Sequence, residues 1–225
     1  MVSLERLQAG SGLIELRCGS HSERCENSAA MPWIGARMSN LTPAVSKHKD
    51  KLSRIRVFLT DCDNVLTDGK IYWFGQEVGW NRCFQVQDGY ALKFLRKLGF
   101  KVGIISGVKS DGLEQRCRDL KVDFAMLGDE DKRAAWDEVK SRAGCTDEEM
   151  LYIGDEIFDL PLLRRAGFSA TVPGACNEVL EAVDYVTTRS AGEGAVREVA
   201  DLLRHSQGLS IDIPDFQDAS VSDRS

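Results

Sequence analysis

The stretch Asp61-Cys62-Asp63-Asn64-Val65-Leu66-Thr67-Asp68-Gly69 (DCDNVLTDG, residues 61–69) follows directly on the apolar run Ile55, Val57, Phe58 and Leu59. A short apolar, β-branched run reads as a buried parallel strand, and in open α/β sheets ligands gather outside the carboxyl ends of such strands. Asp61 and Asp63 stand at that end. Alternation along an extended chain points both side chains the same way, so a cation can be held between them and a phosphate. A DxD pair alone is a weak signal. Strand-to-loop turns use Asp as a loop former, and metal-dependent sugar-nucleotide transferases carry the same pair.

Further positions agree with a phosphate and magnesium site. KVGIIS (101–106) is a second apolar strand ending in Ser106, with Gly107 next and a helix start at Ser110 and Asp111. A serine and a glycine there can offer a phosphate one O–H and neighbouring N–H donors, although the segment by itself is equally an ordinary N-cap turn. Lys132 follows the acidic patch GDED and precedes a helix marked by Ala134, Ala135, Trp136, Val139 and Ala143. Its ammonium can meet a phosphate, or it is one of many solvated helix lysines. MLYIGDEIFDLPLL (150–163) then runs an apolar strand into Gly154 and Asp155, with Asp159 opening a helix. That puts a third carboxylate on the ligand-binding edge of the sheet.

In this order the elements resemble the haloacid dehalogenase superfamily, whose phosphatases carry DxDx(V/T), then Ser or Thr, then Lys, then GDxxxD. The resemblance implies that Asp61 attacks phosphorus to form an aspartyl-phosphate and that Asp63 serves as acid and then base. It implies Mg2+ held by Asp61, the backbone carbonyl of Asp63 and Asp155, and phosphate held by Ser106, Gly107 and Lys132. Asp159 is implied to orient Lys132 or a metal-bound water. Only 44 residues separate Asp61 from Ser106, and 25 separate Ser106 from Lys132, too few for a cap domain in either gap. The first gap holds two aromatic-rich runs around Gly75 to Gly79, which read as a β-hairpin. Trp73, Phe74, Trp80 and Phe84 cannot all be buried in so small an element, so a subunit interface is expected there.

The hairpin, QDGYALKFL, RCRDLKV from Arg116 and SAGEGAVREVADLL from Ser190 further resemble the cap-less phosphatases of bacterial ulosonic acids, above all the 3-deoxy-D-manno-octulosonate 8-phosphate phosphatases, over about Ile55 to Leu203. That likeness implies a cytoplasmic homotetramer in lipopolysaccharide biosynthesis, its hairpins and C-terminal tails roofing neighbouring sites. Arg116 is implied to reach a neighbour's sugar-acid carboxylate. Three positions depart from the pattern: Asn64 replaces a glycine, Val108 stands where octulosonate enzymes have Arg, and Glu193 resembles nine-carbon acid relatives. The octulosonate phosphate is therefore expected, with a nonulosonate 9-phosphate as the alternative. A non-catalytic oligomerisation module, like the tails of some cytidylyltransferases, would lose the nucleophile that is kept here. A DxD glycosyltransferase would explain neither Lys132 nor GDEIFD.

The expected fold is a doubly wound, Rossmann-like parallel sheet with helices on both faces and the hairpin in place of a cap. Strands are expected near 55–60, 102–105, 123–126, 150–153, 169–172 and 184–187. Helices are expected near 89–98, 111–120, 131–143, 160–166, 176–182 and 193–205. The domain is expected over 51–206 of the 225 residues, and 43% hydrophobic residues suffice for its core. A net charge of -6 argues against nucleic acid, no apolar run approaches membrane-spanning length, and seven cysteines read as reduced thiols. Residues 1–50 read as a disordered arm or an over-extended reading frame, with Met31 and Met38 as candidate internal starts. Cys18, His21 and Cys25 in that arm read as a coincidental cluster. Residues 207–225 read as a mobile acidic tail, in which Leu209 to Phe216 can dock on a neighbour.

Overall fold

The computed structural model describes residues 32–211. Along the chain stand α1 (Pro32–Leu52), β1 (Val57–Thr60), β2 (Tyr72–Trp73), β3 (Trp80–Asn81), α2 (Val86–Lys97), β4 (Lys101–Ser106), α3 (Asp111–Leu120), β5 (Phe124–Leu127) and α4 (Arg133–Ala143). They are followed by β6 (Met150–Ile153), α5 (Leu160–Arg165), β7 (Phe168–Thr171), α6 (Asn177–Leu180), β8 (Tyr185–Val186) and α7 (Ala195–Ser206). The main sheet has the order β5-β4-β1-β6-β7-β8 with every neighbouring pair parallel, which is the expected doubly wound topology. The chain steps outward from β1 through β4 to β5, then returns to the other side of β1 with β6. β1 and β6 therefore flank the switch point where such sheets bind ligands. Thr60 is in register with Ile104 on one side and Ile153 on the other, so Asp61 and Asp155 leave the sheet side by side.

Alternation along the strands divides the core in two. Phe58, Val102, Ile104, Leu151 and Ile153 face α1, α2, α3 and α7, through Leu52, Leu92, Leu113 and Val199 among others. Val57, Leu59, Ile105, Met150 and Tyr152 face α4, α5 and α6, through Trp136, Leu162 and Val179. Helix starts follow local capping chemistry. Ser110 caps α3 by accepting from the Leu113 N–H at 3.3 Å. Gln85 accepts from the Gln87 N–H, which starts α2 three residues before the expected position.

The N-terminal expectation needs correction. Helix α1 covers Pro32–Leu52, so the stretch up to 50 is not an arm throughout. Ala44, Val45 and Leu52 pack on the first core, and His48 sets its ring edge-on to Phe168 at 5.4 Å. Lys51 bonds Asp184 at 2.6 Å. This stripe includes a histidine and is interrupted by lysines, which hides its helical period in the sequence. At the other end Leu209 and Ile211 pack on the protein's own core, and Gln207 donates to the carbonyls of Leu52 and Ile55 at 2.9 Å. The expectations for Cys18, His21 and Cys25 and for residues 212–225 lie outside the described residues. Among the described residues no helix is long and apolar enough to cross a membrane.

The hairpin is present as expected. β2 and β3 pair antiparallel, Trp73 opposite Trp80, and they form no part of the main sheet. Trp73, Phe74 and Trp80 are 49%, 61% and 59% exposed, whereas Phe84 packs on the first core.

Candidate active site

Asp61 is the first residue beyond β1, and its N–H donates to the carbonyl of Ile153 at 2.8 Å, continuing the sheet by one rung. The chain then turns sharply, with the N–H groups of Leu66 and Thr67 both donating to the carbonyl of Cys62 at 2.9 and 3.1 Å. Cys62 points into the first core, and burial pushes its thiol far up, so it stays protonated and inert. Asp61 itself is buried.

Lys132, just before α4, reaches under the sheet edge to meet it. Its Nζ lies 3.0 Å from Asp61 Oδ1 and 2.6 Å from Asp159 Oδ1, and donates to the Tyr152 hydroxyl at 3.2 Å. The Phe158 ring closes the other side, 4.7 Å from Nζ to its centroid. The Tyr152 O–H donates in turn to Asp159 Oδ1 at 2.6 Å. Asp159 Oδ2 accepts from the N–H groups of Asp155 and Glu156 at 3.0 and 3.2 Å, so both its oxygens are engaged. Gly154 is required by this packing, since a Cβ there would lie 2.6 Å from the Asp159 carboxyl carbon. Asp155 Oδ2 accepts from Asn64 Nδ2 at 2.8 Å.

Burial works against the charged form of Lys132, but Asp61 and Asp159 outweigh it and hold its pKa above the ordinary lysine value. Burial pushes Asp61 up, and one lysine shared between two acids does not bring it back. Asp155 is pushed up to about 7, chiefly by burial, with Asp159 adding to it and the Asn64 amide opposing. Oxygens of Asp61, Asp155 and Asp159 lie within 4.8 Å of one another. Buried carboxylates gathered as hard oxygen donors suit a small divalent cation such as Mg2+.

Asp63 pairs with a different cation. Its side chain is 35% exposed, and its Oδ2 lies 3.0 Å from Nη1 of the nearly buried Arg82. Burial raises its pKa, opposed by Arg82. Ser106 ends β4 with a buried side chain whose Oγ accepts from the Val108 N–H at 3.2 Å. Its own O–H proton is left for another partner. A Cβ on Gly107 would meet Glu130 at 3.1 Å, so the backbone passes close there. Arg116 stands apart from the carboxylates. Its guanidinium lies 5.4 Å from the Phe84 ring centroid, and its buried Nε has no hydrogen-bond partner among the described residues.

Two site residues escape a reading of the sequence. Tyr152 is signalled only by a phenol in the otherwise apolar run MLYI. Arg82 carries no local signal, because only the hairpin's fold-back brings it to Asp63.

Comparison with known proteins agrees with this geometry. The family of haloacid dehalogenase-like hydrolases matches residues 125–199. The 3-deoxy-D-manno-octulosonate 8-phosphate phosphatase of Salmonella typhi is 34% identical over 181 residues, which is 79% of this chain and 95% of that protein. The Haemophilus influenzae phosphatase of the same name is 36% identical over 72% of this chain and 89% of its own. Among solved structures, the Moraxella catarrhalis 3-deoxy-D-manno-octulosonate 8-phosphate phosphatase, in complex with magnesium, phosphate and KDO, superposes with a TM-score of 0.70 at 34% identity. It covers 72% of this chain and 93% of that one. The cobalt-bound Haemophilus influenzae phosphatase gives a TM-score of 0.66 at 36% identity, over 70% of this chain and 92% of that one. The doubly wound sheet, with its acids at the switch point, is thus that of a haloacid dehalogenase-like hydrolase, and the chain belongs to the family of the 3-deoxy-D-manno-octulosonate 8-phosphate phosphatases.

Proposed function

We propose that this protein is a magnesium-dependent phosphomonoesterase that hydrolyses 3-deoxy-D-manno-octulosonate 8-phosphate to the free sugar acid and inorganic phosphate. The observation that carries the reading is Asp61, a buried carboxylate at the switch point with the Lys132 ammonium 3.0 Å away and Asp155 beside it. Phosphoryl transfer asks little of a protein beyond an in-line nucleophile and positive charge around the equatorial oxygens, and these groups supply both.

Asp61 attacks phosphorus, the bond from phosphorus to the sugar oxygen breaks, and Asp63 gives that oxygen its proton. The Asp63 carboxylate then takes a proton from water. The resulting hydroxide attacks phosphorus, the aspartyl–phosphate bond breaks, and Asp61 is restored. The upward shift of Asp63 through burial supports its being protonated at the first step. Lys132, the Ser106 hydroxyl and the Gly107 N–H hold the phosphate. Asp159 fixes Lys132 through its 2.6 Å bond and through Tyr152. Magnesium, when bound by Asp61, the Asp63 carbonyl and Asp155, neutralises phosphoryl charge.

The exposed aromatics of the hairpin support an assembly of several copies, a tetramer, in which neighbours roof the open site and Arg116 meets a neighbour's substrate. The free thiols of Cys62, Cys83, Cys117, Cys145 and Cys176 support a cytoplasmic setting. One observation favours a nonulosonate 9-phosphate as the alternative substrate: Glu193, just before α7, resembles the nine-carbon acid relatives, while Val108, 43% exposed and two residues past Ser106, offers no charge to either sugar acid.

The test is phosphate release from eight- and nine-carbon ulosonic acid phosphates beside simple sugar phosphates, with magnesium, for the wild type and Asp61→Asn. Turnover of the octulosonate phosphate that vanishes in the variant is the expected result. Preference for simple sugar phosphates would overturn the substrate, and full turnover by Asp61→Asn the mechanism.

A further inference from the structure

Asn64 adopts a backbone φ of +53°, in the left-handed region that glycine enters freely and other residues enter at a cost. A glycine would satisfy the turn with less strain, so the side chain needs an account of its own. The turn is tied by the buried Thr67, whose Oγ1 accepts from the N–H groups of Asn64 and Gly69 at 3.3 and 3.4 Å. Gly69 is the wall against which the amide packs, since a Cβ there would lie 2.9 Å from Asn64 Oδ1. With its oxygen side lodged against Gly69, the amide turns its nitrogen outward. Nδ2 then donates to Asp155 Oδ2 at 2.8 Å, joining positions 91 residues apart.

We propose that Asn64 is a positioning residue for the divalent-cation site, fixing the Asp155 carboxylate through Oδ2 so that Oδ1 is left for the cation. The inference rests on the reading of Asp61 and Asp155 as cation ligands. A neutral N–H donor suits this task. It holds the carboxylate without neutralising it, whereas an ammonium or guanidinium in its place would compete with the cation. Groups that support metal ligands in this way commonly contribute about tenfold or more to metal affinity.

The test is calorimetric titration of the full chain with MgCl2, comparing wild type with Asn64→Gly. Glycine suits the backbone at this φ, so the variant keeps the turn and loses only the amide. The dissociation constant for Mg2+ is expected to rise about tenfold. The visible spectrum of the Co2+-loaded protein provides a second readout, and it is expected to change with the altered seating of Asp155. Affinities within about twofold together with identical Co2+ spectra would overturn the assignment and leave the proposed function standing. A wild type that binds no Mg2+ would overturn the cation site and this inference together.

Discussion

Lys132 has no side-chain exposure and is enclosed by Asp61, Tyr152, Phe158 and Asp159, whereas Trp80 stands 59% exposed on a two-residue strand. In each case the usual distribution is inverted: the floor of the site buries charge, and the hairpin exposes apolar surface. Buried charge is tolerable at the floor because each group has partners, and on the proposed function it would hold the reacting groups without reorganisation. Exposed tryptophan on the hairpin would be covered by a neighbour in the proposed assembly. The floor should therefore respond to mutation within a single chain, and the hairpin only through its neighbours.

The sharpest break in this contrast is Asp61→Asn. It preserves shape and removes a buried charge, so folding should survive while phosphate release falls at least ~10³-fold. Single-turnover phosphate release beside a melting curve checks both halves. Next in size is Lys132→Met, which leaves Asp61 and Asp159 facing each other without their shared cation. Breaking a buried pair by removing one partner typically costs about 3–5 kcal/mol, a shift that urea unfolding reads directly. If Lys132→Met unfolds at the wild-type midpoint, the floor is not held by its charge network.

The same contrast explains what could be read from the chain. Asp61 and Asp155 were legible because each ends an apolar run, and strand ends are where a parallel sheet places its ligands. The six strands of the main sheet were legible for the same reason. Arg82 was not, because its place beside Asp63 follows from the hairpin's path and not from any local pattern. Helix α1 was hidden because its core-facing stripe, the partly buried Ala44 and Val45 with the buried His48 and Leu52, is broken by lysines, of which Lys51 bonds Asp184. Asn64 was visible as a departure from glycine, but its bond to Asp155 depends on Gly69 closing the turn behind it.

A third prediction concerns pH. In the folded protein Asp155 titrates at about 7, above the ~3.9 of an unfolded chain. Between those values the folded state binds more protons, so this group's contribution to metal-free stability is full below about pH 4 and is lost as pH rises through about 7. As a proposed magnesium ligand, Asp155 would have to be ionised, so magnesium should act in the opposite sense, with affinity falling as pH drops below about 7. Melting temperatures at several pH values, with and without MgCl2, should show the two trends crossing, and Asp155→Asn should flatten both. A magnesium effect equally large at pH 5 and pH 8 would contradict the assignment of Asp155.

The smallest effect on the single chain is expected from the hairpin, and it tests the other half of the contrast. Trp73 and Trp80 face each other across the pair at 5.2 Å between ring centroids, and both are largely open to solvent. Replacing both with Ser removes little buried area from the chain itself, so unfolding at high dilution should move by no more than ~0.5 kcal/mol. In the proposed assembly the same change would remove the aromatic surface inferred to join the copies. Sedimentation should show a smaller species, and activity should be lost at enzyme concentrations where the wild type is fully active. If the double variant sediments as the wild type does, the aromatics cover no neighbour, and the open face of the site must be closed by another element. Loss of assembly with full activity would separate two roles joined here, because it would mean that Asp61, Lys132 and Asp155 need no roof to work.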